Sequence, residues 1–260
     1  MVRLVGAELK KFVAQRSLFM AAVFIVPAFA TLIKILMQVV VFRRVGQSNL
    51  GSSVDLVAVA GRSFGLSGNT LAHLFFALGV ASIFVVDYRF STWRHFVPRR
   101  SRSQLWLAKF LAACCCLILS LLLVTVSDLV VTMLVMAVDG TVLTPLAGLE
   151  QLFLLFSVAV LELLALVSVT ALLTVLFRSS MAAVLIAFLL TLGSVLVQAY
   201  LGAGQDLWWL PSIAANDLRM LVTSSASSGA ITPLAALLAW TIVLGVLGLV
   251  LFNRQELATE

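Results

Sequence analysis

DYRFSTWRHFVPRRSRSQLWLAKFLA, residues 87–112, is the stretch from which the rest of this chain is read. Five arginines and one lysine stand between two long apolar runs, with Trp93, Phe96 and Pro98 among them. In a chain that crosses a bilayer, so basic a loop fixes which side faces the cytoplasm. Its mixture of aromatic residues, proline and arginine also points to a structured element against which another protein docks.

The composition on either side supports a bilayer setting. The chain is 62% hydrophobic and 11% charged, with mean hydropathy +1.16, whereas soluble domains carry about 25% charged residues. At about 20 apolar residues per helical crossing, the 260 residues accommodate six crossings and their loops. The apolar runs are continuous rather than alternating, which argues against a closed barrel. A net charge of +6 would suit a nucleic-acid partner, but the basic residues lie at the edges of apolar runs. That is the pattern of orientation signals and contacts with membrane lipids, so no nucleic acid is expected. Cys114, Cys115 and Cys116 are consecutive in an apolar run and point in different directions on a helix, so they read as small hydrophobes.

The expected fold is an all-α integral membrane domain covering 1–260, with spans at 18–42, 67–86, 105–137, 149–177, 180–202 and 233–252. Residues 2–16 form an amphipathic segment with Leu4, Val5, Leu9, Phe12 and Val13 on one side, suited to the inner interface. Ala28-Phe29-Ala30 resembles a signal-peptide cleavage site, but the apolar run continues to Phe42 and the segment before it is long and periodic, so cleavage is not expected. Arg178, Ser179 and Ser180 give a tight turn between the fourth and fifth spans. Segments 43–66, 138–148 and 203–232 read as loops on the opposite side. With both termini cytoplasmic, twelve of the seventeen Lys and Arg residues lie inside, and Arg43, Arg44, Arg62 and Arg219 lie outside. Within 203–232, Trp208, Trp209 and Pro211 are too apolar for a free loop. They fit either a helical hairpin re-entering the outer leaflet or an aromatic belt.

Three spans carry polar residues at i, i+3, i+7 spacing, each set on one helical face. They are Thr31, Lys34 and Gln38; Thr125, Asp128 and Thr132; and Thr191, Ser194 and Gln198. Such faces should meet protein or a water-filled path rather than lipid. Glu162 lies near mid-membrane, and Lys34 is the only cation within a span apart from Lys109, which counts with the inner set, so Lys34 with Asp128 or Glu162 is the pair to expect. These groups either line a translocation path or act as interhelical glue.

Catalytic signatures do not occur. The sequence has no phosphate-binding G-x-x-x-x-G-K-[ST] loop, no G-x-S-x-G elbow and no H-E-x-x-H pair. His73 and His95 have no partners at metal-ligand spacing. The chain therefore reads as a non-enzyme without a cofactor of its own.

The chain resembles the permease subunits of the ABC type-2 exporter family. Ala7-Glu8-Leu9-Lys10-Lys11 with Arg16 is similar to that family's entry helix. Asp87, Thr92, Arg94, Pro98, Ser101-Arg102 and Lys109 follow the pattern of the loop after its second span, and Leu251-Phe252-Asn253-Arg254-Gln255-Glu256-Leu257 resembles its exit from the last span. Ser91 stands where that family has glycine, and Pro98 is displaced by one residue.

The resemblance implies a bacterial cytoplasmic membrane and a second permease chain, in a homodimer or heterodimer. It implies separate ATPase subunits that hold ATP and Mg. It places a coupling helix between the second and third spans, where Asp87, Arg89, Thr92, Trp93, Arg94, Phe96, Pro98 and Arg102 would meet the ATPase. The path would involve Thr31, Lys34, Gln38, Asp128, Glu162, Thr191, Ser194 and Gln198, and an outer gate would involve Trp208, Trp209 and Pro211. The polar stripes and apolar remainder favour an amphipathic cargo such as a lipid, peptide or drug. The competing readings are a proton- or ion-coupled carrier using Lys34, Asp128 and Glu162, and a non-transporting membrane scaffold.

Overall fold

The structure is a computed structural model that describes residues 1–45, 53–89, 101–139, 142–143, 148–201, 207–224 and 229–255. Its helices are α1 (Val2–Ala14), α2 (Arg16–Val45), α3 (Leu56–Phe64), α4 (Thr70–Arg89), α5 (Arg102–Asp139), α6 (Leu149–Phe177), α7 (Ser180–Leu201), α8 (Pro211–Thr223) and α9 (Ile231–Arg254). Six of them, α2, α4, α5, α6, α7 and α9, are long and apolar enough to cross a membrane. The chain thus has the character of a multi-pass, helical membrane protein. Two short strands, β1 (Ser53–Val54) and β2 (Val142–Leu143), pair in parallel and join the segment after α2 to the segment after α5.

The fourth span begins and ends where expected, at 149 and 177. The second starts three residues late, and local chemistry explains the shift. Gly65–Gly68 form a 3-10 turn, and Asn69 Oδ1 accepts hydrogen bonds from the Leu71 and Ala72 amides at 2.9 and 3.3 Å. That satisfies amide donors otherwise orphaned at a helix start. The expected loop at 43–66 is corrected by α3, whose N-cap Asp55 accepts from the Val57 amide at 2.8 Å. Pro211 opens α8 at a first-turn position where its missing N–H costs nothing. Arg178 makes the tight turn after α6 with φ 51°, a left-handed C-cap.

The predicted apolar face of α1 needs one correction. Its buried residues are Glu8 and Phe12, while Val13 is 48% exposed. A carboxylate therefore sits at the centre of the buried face. Of the three cysteines, Cys114 and Cys116 are buried and Cys115 is exposed.

Between helices in lipid, close packing replaces the hydrophobic drive that water supplies. A Cβ on Gly79 of α4 would lie 2.5 Å from Ala22 Cβ of α2, so these helices touch backbone to backbone. Ser120 on α5 donates to the Val23 carbonyl at 2.9 Å, and Ser168 on α6 donates to the Thr241 carbonyl of α9 at 3.1 Å. The main core gathers Phe76, Phe84, Leu117, Leu121, Val175 and Phe252. α4 is the most enclosed span, whereas α2, α7 and α9 turn most of their surface outward.

Candidate functional site

Three polar constellations are stacked along the bundle. The first lies at the end where both termini meet. Lys109 on α5, 1% exposed, donates to Glu8 Oε2 at 3.0 Å and to the Ile83 carbonyl at 2.8 Å, and stands 2.6 Å from Asp87 Oδ2. Lys11 reaches Glu8 Oε1 at 2.7 Å and Asp87 Oδ1 at 3.4 Å. Two acids and two bases, all buried but the part-exposed Lys11, thus tie α1 to the end of α4 and the start of α5. Beside it, Tyr88 Oη donates to Gln255 Oε1 at 2.7 Å, and Gln255 Nε2 donates to the Val175 carbonyl at 2.7 Å. Arg102 Nη1 donates to the carbonyls of Asn253 and Gln255, completing the C-terminal end of α9.

Of the expected coupling residues, Asp87 is buried beside Lys109 and Lys11, and Arg102 is part-buried against the end of α9. Thr92, Trp93, Arg94, Phe96 and Pro98, with the side chain of Arg89, lie outside the described residues.

The second constellation is near mid-depth. Glu162 on α6, 2% exposed, pairs with Arg219 Nη2 of α8. Ser67 Oγ donates to Glu162 Oε2 at 2.9 Å and accepts from Arg219 Nη2 at 2.7 Å. His73 Nε2 bonds the Ser67 carbonyl, which requires Nε2 to carry the hydrogen. A Cβ on Gly68 would stand 2.8 Å from Arg219 Nη1, so glycine makes room for the guanidinium. A small void of about 20 Å³ touches Glu162, His73, Thr191 and Pro211.

Of the two partners expected for Lys34, this arrangement removes Glu162 and leaves Asp128. Glu162 does not meet Lys34, and Arg219 is not a free outer-loop cation. Sequence reasoning missed Ser67, His73 and Arg219 here. The available signal was Arg219 as the lone cation of 203–232, facing an unpaired acid elsewhere in the bundle.

The third constellation lies toward the opposite end. Lys34 on α2 pairs with Asp128 Oδ1 of α5, and donates to the Asp128 carbonyl at 2.9 Å and Thr132 Oγ1 at 2.6 Å. Ser63 of α3 donates to Asp128 Oδ2 at 2.7 Å. These residues border a cavity of about 680 Å³ that also includes Thr31, Gln38 and Arg62. The first-span and third-span stripes therefore meet. The fifth-span stripe does not join them. Thr191 and Ser194 are buried and return their hydroxyls to carbonyls of their own helix at Phe188 (2.8 Å) and Leu190 (2.8 Å). Gln198 lies farther along α7, which packs mainly against α4 and α6.

Of the expected gate residues, Trp208 and Trp209 are exposed, and Pro211 is buried at the start of α8. The Trp209 carbonyl accepts from Trp240 Nε1 at 2.7 Å, fastening this turn to α9. Asp217 on α8 has its carboxyl pushed above the usual range by desolvation. Among the described residues, no group of three or more His, Cys, Asp or Glu gathers to hold a metal ion. No family model matches the chain, and no curated protein matches it.

Proposed function

We propose that this chain is the transmembrane subunit of an ATP-driven exporter, with nucleotide chemistry supplied by separate ATPase subunits and a second permease chain completing the path. The observation that carries the reading is the buried cluster of Glu8, Lys11, Asp87 and Lys109. It stands at both roots of the arginine-rich segment after the second span. A loop that receives force from a partner can pass it on only if its flanks move as one body. Here three buried charges, with Lys11 at their edge, join the N-terminal helix to the two spans that flank the loop. Removing one partner from such a cluster is expected to cost several kcal/mol, about 3–5 for a buried pair.

Two further features support the same reading. α1 places Arg3 and Lys10 outward while Phe12 is buried, which suits a helix lying at the inner interface. α8 has 13 residues, about 20 Å, and is too short to cross a bilayer. Its Arg219 nonetheless reaches Glu162 near the middle of α6. A helix re-entering from the end opposite the termini would have this length and reach, and would suit a gate. The cargo expected is amphipathic.

The test is purification with a separately encoded ATPase, followed by reconstituted transport. Trp93→Ala combined with Arg94→Ala should leave ATPase activity and lose its coupling to transport. Retention of full coupling in that variant would remove the assigned role of the loop.

A second reading, a proton-coupled carrier, draws on Glu162 beside His73 at mid-depth. It requires transport without any ATPase and loss of that transport in Glu162→Gln.

A further inference from the structure

The cavity of about 680 Å³ between α2, α3, α4 and α5 changes in character along its depth. Lys34, Gln38, Arg62, Asp128 and Thr132 line one end. Val26, Phe75 and Val124 line the other. Val26 is eight residues below Lys34, and Val124 four below Asp128, or about 12 and 6 Å along their helices. The polar end is the one farther from the chain termini. Lys34 lies eighteen residues beyond Arg16, about 27 Å, close to the thickness of a hydrocarbon core of about 30 Å. Phe29, Ile33 and Leu71 line the cavity and are also 50%, 43% and 54% exposed. The cavity therefore opens sideways, at the surface where lipid would lie.

Its charges are unequal. Among the described residues, its lining carries two cations, Lys34 and Arg62, and one carboxylate, Asp128. Lys34 places its three donors on the Asp128 carboxylate, the Asp128 carbonyl and Thr132. Arg62 is exposed and has no carboxylate partner among the described residues. A planar guanidinium with five donors suits the oxygens of a phosphate diester. A fully hydrophilic ligand would leave the apolar wall unused, and a fully apolar one would desolvate Arg62 without compensation.

We infer that this cavity holds one phospholipid with an anionic headgroup, its phosphate on Arg62 and an acyl chain along Phe29, Phe75 and Val26. The lipid comes from the leaflet at the end of the bundle opposite the termini. This site does not rest on the exporter reading, because it concerns equilibrium binding and needs neither ATP nor transported cargo.

The test uses the intact, delipidated chain in detergent, titrated with phosphatidylglycerol or with phosphatidylcholine of the same acyl chains and read by native mass spectrometry. One phosphatidylglycerol per chain should be retained, about tenfold better than phosphatidylcholine. Arg62→Gln should abolish that preference and Arg62→Lys should recover part of it. Ala30→Phe, which places a ring in the cavity, should displace the retained lipid. Equal retention of both lipids, or retention unchanged by Arg62→Gln and Ala30→Phe, would mean surface lipid only and overturn the site. Arg62 is exposed and makes no ion pair among the described residues, so Arg62→Gln keeps the test independent of folding.

Discussion

Arg219 on α8 pairs with Glu162 on α6, thirteen residues from Leu149 and fifteen from Phe177. Ser67 bonds both partners, at 2.9 Å to the carboxylate and 2.7 Å to the guanidinium. A short helix outside the six spans is thereby fixed to the middle of one of them. The pair is a lock between elements remote in sequence, and each partner makes the burial of the other tolerable.

Glu162→Leu should strand a largely buried guanidinium and destabilise the fold by about 3–5 kcal/mol. Arg219→Met should cost a similar amount. The double variant should cost clearly less than the two added together, since no charge is left unpaired. Denaturant unfolding of the four proteins in detergent gives the coupling energy, and simple additivity would contradict a direct pair.

Gly68→Ala tests the same lock from its third side. The added Cβ meets Arg219 Nη1 at 2.8 Å and Glu162 Oε1 at 3.3 Å. Overpacking of this kind costs about 1–3 kcal/mol. The penalty should shrink in an Arg219→Met background, where the shorter, neutral side chain can yield. Thermal unfolding of the single and double variants measures the difference.

Lys109→Met should release α1. It removes the more buried of the two cations that contact both Glu8 and Asp87. Amide hydrogen exchange over Val2–Ala14 should accelerate well before exchange in α6. Glu8→Gln should have a smaller effect, because an amide oxygen can still accept from Lys109. Unchanged protection of α1 in Lys109→Met would show that the cluster does not hold that helix.

Asp217 gives a pH dependence of definite sign. Desolvation raises its carboxyl above the ordinary 3.8 in the folded protein. The folded state therefore binds the proton more tightly than the unfolded state does. Its contribution to stability is fully present below 3.8 and is lost as pH rises through the folded value. Asp217→Asn should match the parent at low pH and exceed it at neutral pH. Melting curves of both proteins across that range check the crossover.

Much of the architecture could be read along the chain because crossing a bilayer is a local demand. A continuous apolar run of sufficient length must be a helix there, since every backbone group needs its partner within the segment. The turn at Arg178 and the start at Leu149 follow from such local signals. α3 was also legible in principle, through Asp55 placed before Leu56 as an N-cap. The stripes on α2 and α5 foretold that Thr31, Lys34, Gln38 and Asp128 would turn inward, and those residues share one cavity.

Partner choice was not legible in the same way. α4 and α6 are apolar on nearly every side, so no stripe marks how each is rotated against its neighbours. Lys34 was read as the partner of Asp128 or Glu162 and meets Asp128, whereas rotation and depth bring Arg219, read as an outer cation, to Glu162. Likewise Asp87, Glu8 and Lys109 carried no mark in sequence that they would share one cluster. Span number, span limits and polar faces follow from each segment taken alone. The pairing of buried charges follows from how separate helices are set against one another, and that relationship exists only after they pack.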